Sequence, residues 1–246
     1  MELQAVRSLP WSWQETAPSL SGDPTAYFRG SFQKDGASKQ VVAAAAARMG
    51  MPAAAVLATK LIAQFRPRIL VMIGIAAGVP GKVALGDVIV ADPVWDYGSG
   101  KWIEDEGIST FELAPHQVSL APALRSAFML LGEDAVTLAA IRDSWPSEPP
   151  PHPLRLHVGP MASGAAVLAD ASTISRVVDQ NRKTLAVEME AYGVFVAADE
   201  APAPRPAVIA LKGIADFADS SKQDDFQRYC AFVSAAILRH AAERLI

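Results

Sequence analysis

Apolar residues fall along this chain in two rhythms. Short unbroken runs rich in Val, Ile, Leu and Met alternate with longer stretches whose apolar positions recur at helical spacing. Ile69 to Ile73 is apolar throughout and lies between Pro67 and Gly74, the pattern of a strand covered on both faces. Val88 to Ala91 follows the Gly86-Asp87 turn, and Leu185 to Met189 and Ala207 to Leu211 are two further buried-strand candidates. Tyr27 to Phe32, followed by the turn signal Lys34-Asp35-Gly36, predicts a hairpin with Val41 to Ala47. Ala43 to Ala47 favour a helix by propensity, but the length of the run suits a strand, which is the expectation adopted. Helices are predicted over Pro52 to Phe65, Pro122 to Leu131, Asp170 to Arg182, Ala191 to Ala198 and Asp224 to Leu245, the first two opening on a proline. Ser147 to Pro153 is a loop, because its prolines remove backbone donors. Strands alternating with helices predict a single α/β domain over residues 1 to 246.

Composition narrows what such a domain does. With 51% hydrophobic residues in 246, the chain buries a sizeable core. The 22 Lys and Arg against 26 Asp and Glu leave a net charge of −4, so no surplus of positive charge exists to bind nucleic acid, and a small-molecule partner is expected instead. A lone cysteine, Cys230, excludes an internal disulfide and a cysteine zinc cluster. Neither a signal peptide nor an apolar run of membrane-spanning length is visible, and a cytoplasmic setting is expected.

Three segments could carry chemistry. Val71 to Asp87 ends a buried strand in Gly74, Ala76, Ala77 and Gly78, where missing side chains let a ligand approach the backbone; a tight turn without a ligand fits equally. This segment has neither the dinucleotide fingerprint nor the Gly-Lys-Ser/Thr ending of a phosphate loop. Glu188 and Glu190 flank Met189 at a strand-to-helix junction, placed either for a ligand or for the helix dipole. Asp216 follows the run Ala207 to Leu211, where burial raises a carboxyl pKa into the range of a general acid, although Asp216 or Asp219 could equally cap a turn. His116, His152, His157 and His240 stand in unrelated contexts and Ser163 lies outside any nucleophile elbow, so neither a metal nor a Ser-His site is expected.

In order, GIAAG at Gly74 to Gly78, LGD at Leu85 to Asp87, Ser163-Gly164, VEME at Val187 to Glu190 and GIADFAD at Gly213 to Asp219 resemble the purine nucleoside phosphorylase and nucleosidase superfamily, closest to the methylthioadenosine/adenosylhomocysteine nucleosidase branch. The resemblance implies a three-layer α/β/α fold around a mixed, partly barrel-like sheet, and hydrolysis of an adenine nucleoside without a cofactor. It implies Asp216 as the acid that protonates the leaving base, and Glu190 as acceptor of the ribose hydroxyls with Met189 beneath the sugar and Glu188 beside it. Ala76, Ala77 and Gly78 would line the floor, and Val167 and Leu168 would face the base in a stretch where the family often carries an aromatic. The family's water-activating glutamate falls on Glu2, with the strand that precedes it expected upstream of Met1. Phosphorylases of the superfamily carry an Arg two residues before the first Gly and a Ser or Thr after it. Met72 and Ile75 occupy those positions here, which points to water as the nucleophile. A homodimer is the implied assembly. A nucleoside-binding sensor with little turnover, and a phosphorolytic enzyme, are the alternatives.

Overall fold

A ring of five strands organises the molecule. The computed structural model describes all residues except 19, 106, 166–170 and 218–223. In chain order it runs α1 (Glu2–Arg7), β1 (Gln14–Thr16), β2 (Tyr27–Lys34), β3 (Ala37–Ala43), α2 (Met51–Phe65), β4 (Ile69–Gly78), β5 (Val88–Asp96), β6 (Gly100–Asp105), β7 (Ile108–Leu113) and β8 (Gln117–Val118). It continues through α3 (Pro122–Glu133), α4 (Ala135–Asp143), β9 (Leu156–Ser163), α5 (Ala171–Gln180), β10 (Ala186–Glu188), α6 (Ala191–Asp199), β11 (Ala207–Asp216) and α7 (Asp224–His240), with a closing π-helical turn at Ala241–Leu245. β4 lies parallel to β11, β11 antiparallel to β5, and β5, β9 and β10 run parallel to one another. The ring closes where β10 meets β4 through only the pairs Ala186–Gly78 and Val187–Ala77, so the barrel is partial.

Alternation along β11 assigns a helix layer to each face. Ile209 and Leu211 are fully buried with Val233 and Ile237 of α7, and Gly213 has no side chain because a Cβ there would lie 2.5 Å from that of Cys230. Ala210 and Ile214 point the other way, onto Phe195 of α6, behind which α2 packs. Burying each of these large apolar side chains contributes about 1.5–3 kcal/mol, which makes the two interfaces the main stabilising core. The result is the three-layer arrangement expected from the sequence.

The hairpin forms as predicted but in a shorter register. Asp35 and Gly36 have φ of 50° and 73°, a two-residue turn with both centres left-handed, and Lys34 pairs with Ala37. Pairing ends at Phe28–Ala43, so only the first of the five alanines is in a strand and the rest connect to α2. Strands β4, β5 and β11 run further than their apolar runs, β4 through the small residues Gly74 to Gly78 and β5 and β11 to Asp96 and Asp216. The sequence pattern did not reveal α1, α4, the β6–β7 hairpin or β9. β9 is disguised by Gly159 and Pro160; Gly159 is required because Leu185 packs 2.5 Å from where its Cβ would be. Helix α4 follows directly on α3, separated by Asp134, whose carboxylate caps it by accepting from the Thr137 amide at 3.0 Å. No described helix is long and apolar enough to cross a membrane.

Candidate active site

Strands β5, β9 and β10 end in one row, with Asp96 paired to Ser163 and Ser163 to Glu188. Ser163 is fully buried. Its hydroxyl donates to Glu188 Oε1 at 2.5 Å and accepts from the Tyr192 amide at 2.9 Å, tying the end of β9 to the start of α6. The Glu188 carboxylate also accepts from the amides of Glu190 and Ala191 at 2.9–3.0 Å, so it caps α6 from the strand before it. With the Lys212 ammonium 2.8 Å from Oε2, every acceptor position on Glu188 is engaged by the protein. The sequence placed Glu188 beside the substrate; the structure makes it the post that orients its neighbours.

Lys212 reaches this carboxylate across an intervening strand. It stands on β11 opposite Gly74 of β4, and a Cβ on Gly74 would lie 3.0 Å from Lys212 Nζ and 3.2 Å from its Cδ. The glycine therefore serves as a trough for the lysine, a different use from the ligand approach its sequence context suggested. Nζ also pairs with Glu190 Oε2 at 3.2 Å, while Glu190 Oε1 accepts from the Gly50 amide at 3.1 Å, just before α2. Lys212 and Glu188 are each 2% exposed in their side chains, whereas Glu190 is 19% exposed and is the member of the trio that solvent or a ligand can reach. Burial works against the charge on Glu188, but Lys212, Ser163 and the Ala191 amide outweigh it and hold the carboxyl below its usual range. Burial likewise opposes the Lys212 charge, and the two glutamates overcome it and push the ammonium pKa up. Glu188 and Lys212 are therefore both charged. Sequence reasoning gave Lys212 no role, although a lysine inside the run VIALKGIA requires a buried counter-charge.

The other expected residues lie around this trio. Asp216 ends β11 opposite Ala77, and Ala77 pairs on its other side with Val187, so Asp216 and the VEME segment border the same end of β4. Met189 is half-buried at the turn into α6, Ala76 and Gly78 are buried, and Ala77 is partly so. Val167, Leu168 and Asp219 lie outside the described residues. Two aromatic rings pack on glycines of this end: Phe217 Cε1 lies 3.3 Å from the Cβ position of Gly78, and the Tyr97 ring, in the tract WDYGSGKW whose aromatics suit a rim or a plain loop, covers Gly164 so closely that no side chain fits there. Glu2 is the exception. Residues 2–7 are good helix formers and build α1, which packs on α7, on the sheet face away from α6. The Glu2 carboxylate lies 3.9 Å from the chain's own amino group and, among the described residues, does not join the trio. The same holds for metal ligands: no described group of His, Cys, Asp and Glu is arranged to hold an ion.

Known proteins resemble this chain in sequence and in fold. The chain is 36% identical over 99% of its length to the uncharacterised protein y4jS of Sinorhizobium fredii, covering 58% of that protein. It is 29% identical over 97% of its length to the ATP nucleosidase Cap17 of Escherichia coli, covering 48% of it. The chain thus spans about half the length of these curated relatives. The crystal structure of the Helicobacter pylori 5′-methylthioadenosine/S-adenosylhomocysteine nucleosidase superposes with a TM-score of 0.73 at 17% identity, covering 98% of this chain and 93% of that one, which establishes a shared fold. The family model of the phosphorylase superfamily matches residues 20–243, and the chain belongs to that superfamily.

Proposed function

We propose that this chain hydrolyses the N-glycosidic bond of an adenine nucleoside or nucleotide and releases adenine. The observation that carries this reading is the Glu190 carboxylate, held between Lys212 and the Gly50 amide yet still partly exposed, along β4 from the position where Asp216 stands. Along β4 the step from the Gly74–Lys212 pair to the Ala77–Asp216 pair is three residues, about 10 Å, a span that a nucleoside bridges between its ribose hydroxyls and the imidazole edge of its base. In this reading Glu190 accepts the ribose hydroxyls, Met189 lies under the sugar, and negative charge stabilises the oxocarbenium-like transition state. Asp216 delivers the proton that lets the purine depart neutral. Neither step calls for a metal or an organic cofactor. Nucleosidase relatives and neighbours, whose substrates include ATP and methylthioadenosine, support the substrate class.

Water is the proposed nucleophile rather than phosphate. Met72 and Ile75 both pack against apolar clusters, and Lys212 is taken up by two carboxylates, so neither position a phosphorylase would use offers a donor to an oxyanion. A second reading, a nucleoside-binding module with little turnover, is favoured by the position of Glu2 on a helix away from the trio. Adenine release by the purified chain, followed with and without phosphate, separates the possibilities. Hydrolysis predicts a sugar product with a free 1-hydroxyl that keeps its 5′ substituent, no phosphate requirement and loss of about a hundredfold or more in kcat for Asp216→Asn with binding retained. Binding without release supports the sensor, and a phosphate requirement overturns the choice of water. A homodimer in the cytoplasm is the assembly and setting proposed with this activity.

A further inference from the structure

A polar pair outside the trio stands behind the proposed acid. The turn before β5 ends in Asp87, which is 1% exposed. Asp87 Oδ2 accepts from the Ala84 amide at 2.9 Å, which closes the turn, and meets His157 Nε2 of β9 at 3.0 Å. Oδ1 is buried and, among the described residues, has no hydrogen-bond partner. A buried oxygen without a donor is costly, so this side chain depends on the two donors that Oδ2 receives. The Ala84 amide belongs to the turn itself, and the imidazole is what ties the turn to another strand.

The same turn fastens the backbone that leads to Asp216. Ile214 donates its amide to the Asp87 carbonyl and its own carbonyl accepts from the Gly86 amide, both at 2.8 Å, just past Gly213–Val88, the last pair of the β11–β5 ladder. Gly86 has a φ of 86°, and a Cβ there would lie 2.9 Å from Tyr229 Cε1 and 3.0 Å from Pro150 Cγ, so the turn is wedged against α7. Beyond Ile214 the register of β11 on β4 shifts: Ile214 pairs with Ala76 and Asp216 with Ala77, which leaves Ala215 as a bulge. A bulge bends its strand and re-aims the side chain that follows. The aim of Asp216 thus depends on where Ile214 is held, and Ile214 is held by the turn that Asp87 closes. We propose that His157, acting through Asp87, is a positioning residue for the acid Asp216; the inference rests on Asp216 being that acid. The bonds that hold Glu190, from Lys212 and the Gly50 amide, involve neither His157 nor Asp87. Loss of the imidazole therefore acts on proton delivery and leaves the ribose carboxylate in place.

The test measures adenine release and equilibrium binding, on whichever of adenosine, methylthioadenosine and ATP the wild type turns over best, for His157→Leu, His157→Gln, Asp87→Asn and the His157→Leu/Asp87→Asn double variant, each well below its unfolding midpoint. His157→Leu keeps bulk without a donor and is expected to lower kcat about tenfold or more while KM stays within about twofold. His157→Gln, whose amide offers a donor at the reach of Nε2, is expected to return kcat to within about threefold of wild type. Because the two side chains act as one unit, the double variant should fall no further than the worse single one. Unchanged kcat in His157→Leu, a loss confined to KM, no recovery in His157→Gln, or additive losses in the double variant each overturn the proposal. Should His157→Leu not fold, Asp87→Asn carries the same comparison, with the same split between kcat and KM expected. Turnover that Asp216→Asn abolishes and the His157 variants leave untouched sinks this inference alone. Absence of adenine release by the wild type sinks the reading of Asp216 as an acid, and this inference with it.

Discussion

Lys212 shows how one side chain can hold a site together. Its ammonium compensates two carboxylates in a region where each charge alone would be strongly penalised, so removing it leaves Glu188 buried and unpaired. Lys212→Met is expected to destabilise the fold by about 3–5 kcal/mol in urea denaturation, and more than Glu190→Gln, because Glu190 is already part-exposed. Ser163→Ala removes a hydroxyl that bonds a carboxylate on one side and an α6 amide on the other. Its expected cost is about 1.5–3 kcal/mol in the same measurement, with α6 losing amide-exchange protection at its first turn.

Between elements, the contact that matters most for the site is α2 against α6. Gly193 faces the Met51 carbonyl, and a Cβ at that position would sit 2.5 Å from the oxygen. That close approach is what brings the Gly50 amide to Glu190. Backbone cannot move aside as a flexible side chain does, so Gly193→Ala must separate the two helices. It is expected to cost about 1–3 kcal/mol and to weaken nucleoside binding through loss of the Gly50 contact, whereas Gly74→Ala meets the more yielding Lys212 chain and should cost less. Denaturation midpoints together with nucleoside affinities for the two variants check both statements; equal effects would show that the α2–α6 approach is not what sets the Glu190 carboxylate.

For the whole molecule, pH tests how the early segment is fastened to the rest. Asp23 receives Lys60 of α2 at 2.7 Å, Tyr27 at 2.7 Å and Thr25 at 2.8 Å. The Lys60 bond, helped by Tyr27 and Thr25 against the opposing effect of burial, holds its carboxyl far below the ordinary 3.8. A carboxyl depressed by folding contributes stability that is complete above its unfolded pKa and disappears as pH falls toward its folded one. Stability should therefore decline on acidification from near pH 4 downward, and Asp23→Asn should flatten that decline. Glu188 acts in the same direction, so some acid sensitivity should survive in Asp23→Asn. Chemical denaturation of both proteins at a series of pH values measures the two slopes, and parallel curves would show that Asp23 does not anchor this segment.

The residues themselves determined the layers and most of the strands that carry the site. Unbroken apolar runs at Ile69, Val88 and Ala207 can only be buried, and a buried run entered from Pro or Gly and followed by a helical period leaves few folds open. The small-residue, VEME and GIADFAD segments likewise each fell near the end of a predicted strand, whereas the strand that ends in Ser163 became visible only in the fold. What tertiary structure decided was the division of labour among charges. Glu188 and Glu190 are two positions apart and chemically alike; only the arrival of Lys212 over Gly74, Ser163 from β9 and Gly50 from the start of α2 makes the first a buried post and the second a reachable acceptor. Glu2 went the other way, matched by a local pattern but carried onto α1 by the helix propensity of its neighbours. Local sequence fixes neither burial nor partnership for a polar group, since both come from residues distant along the chain, and it is those two quantities that turn a carboxylate into a structural or a functional one.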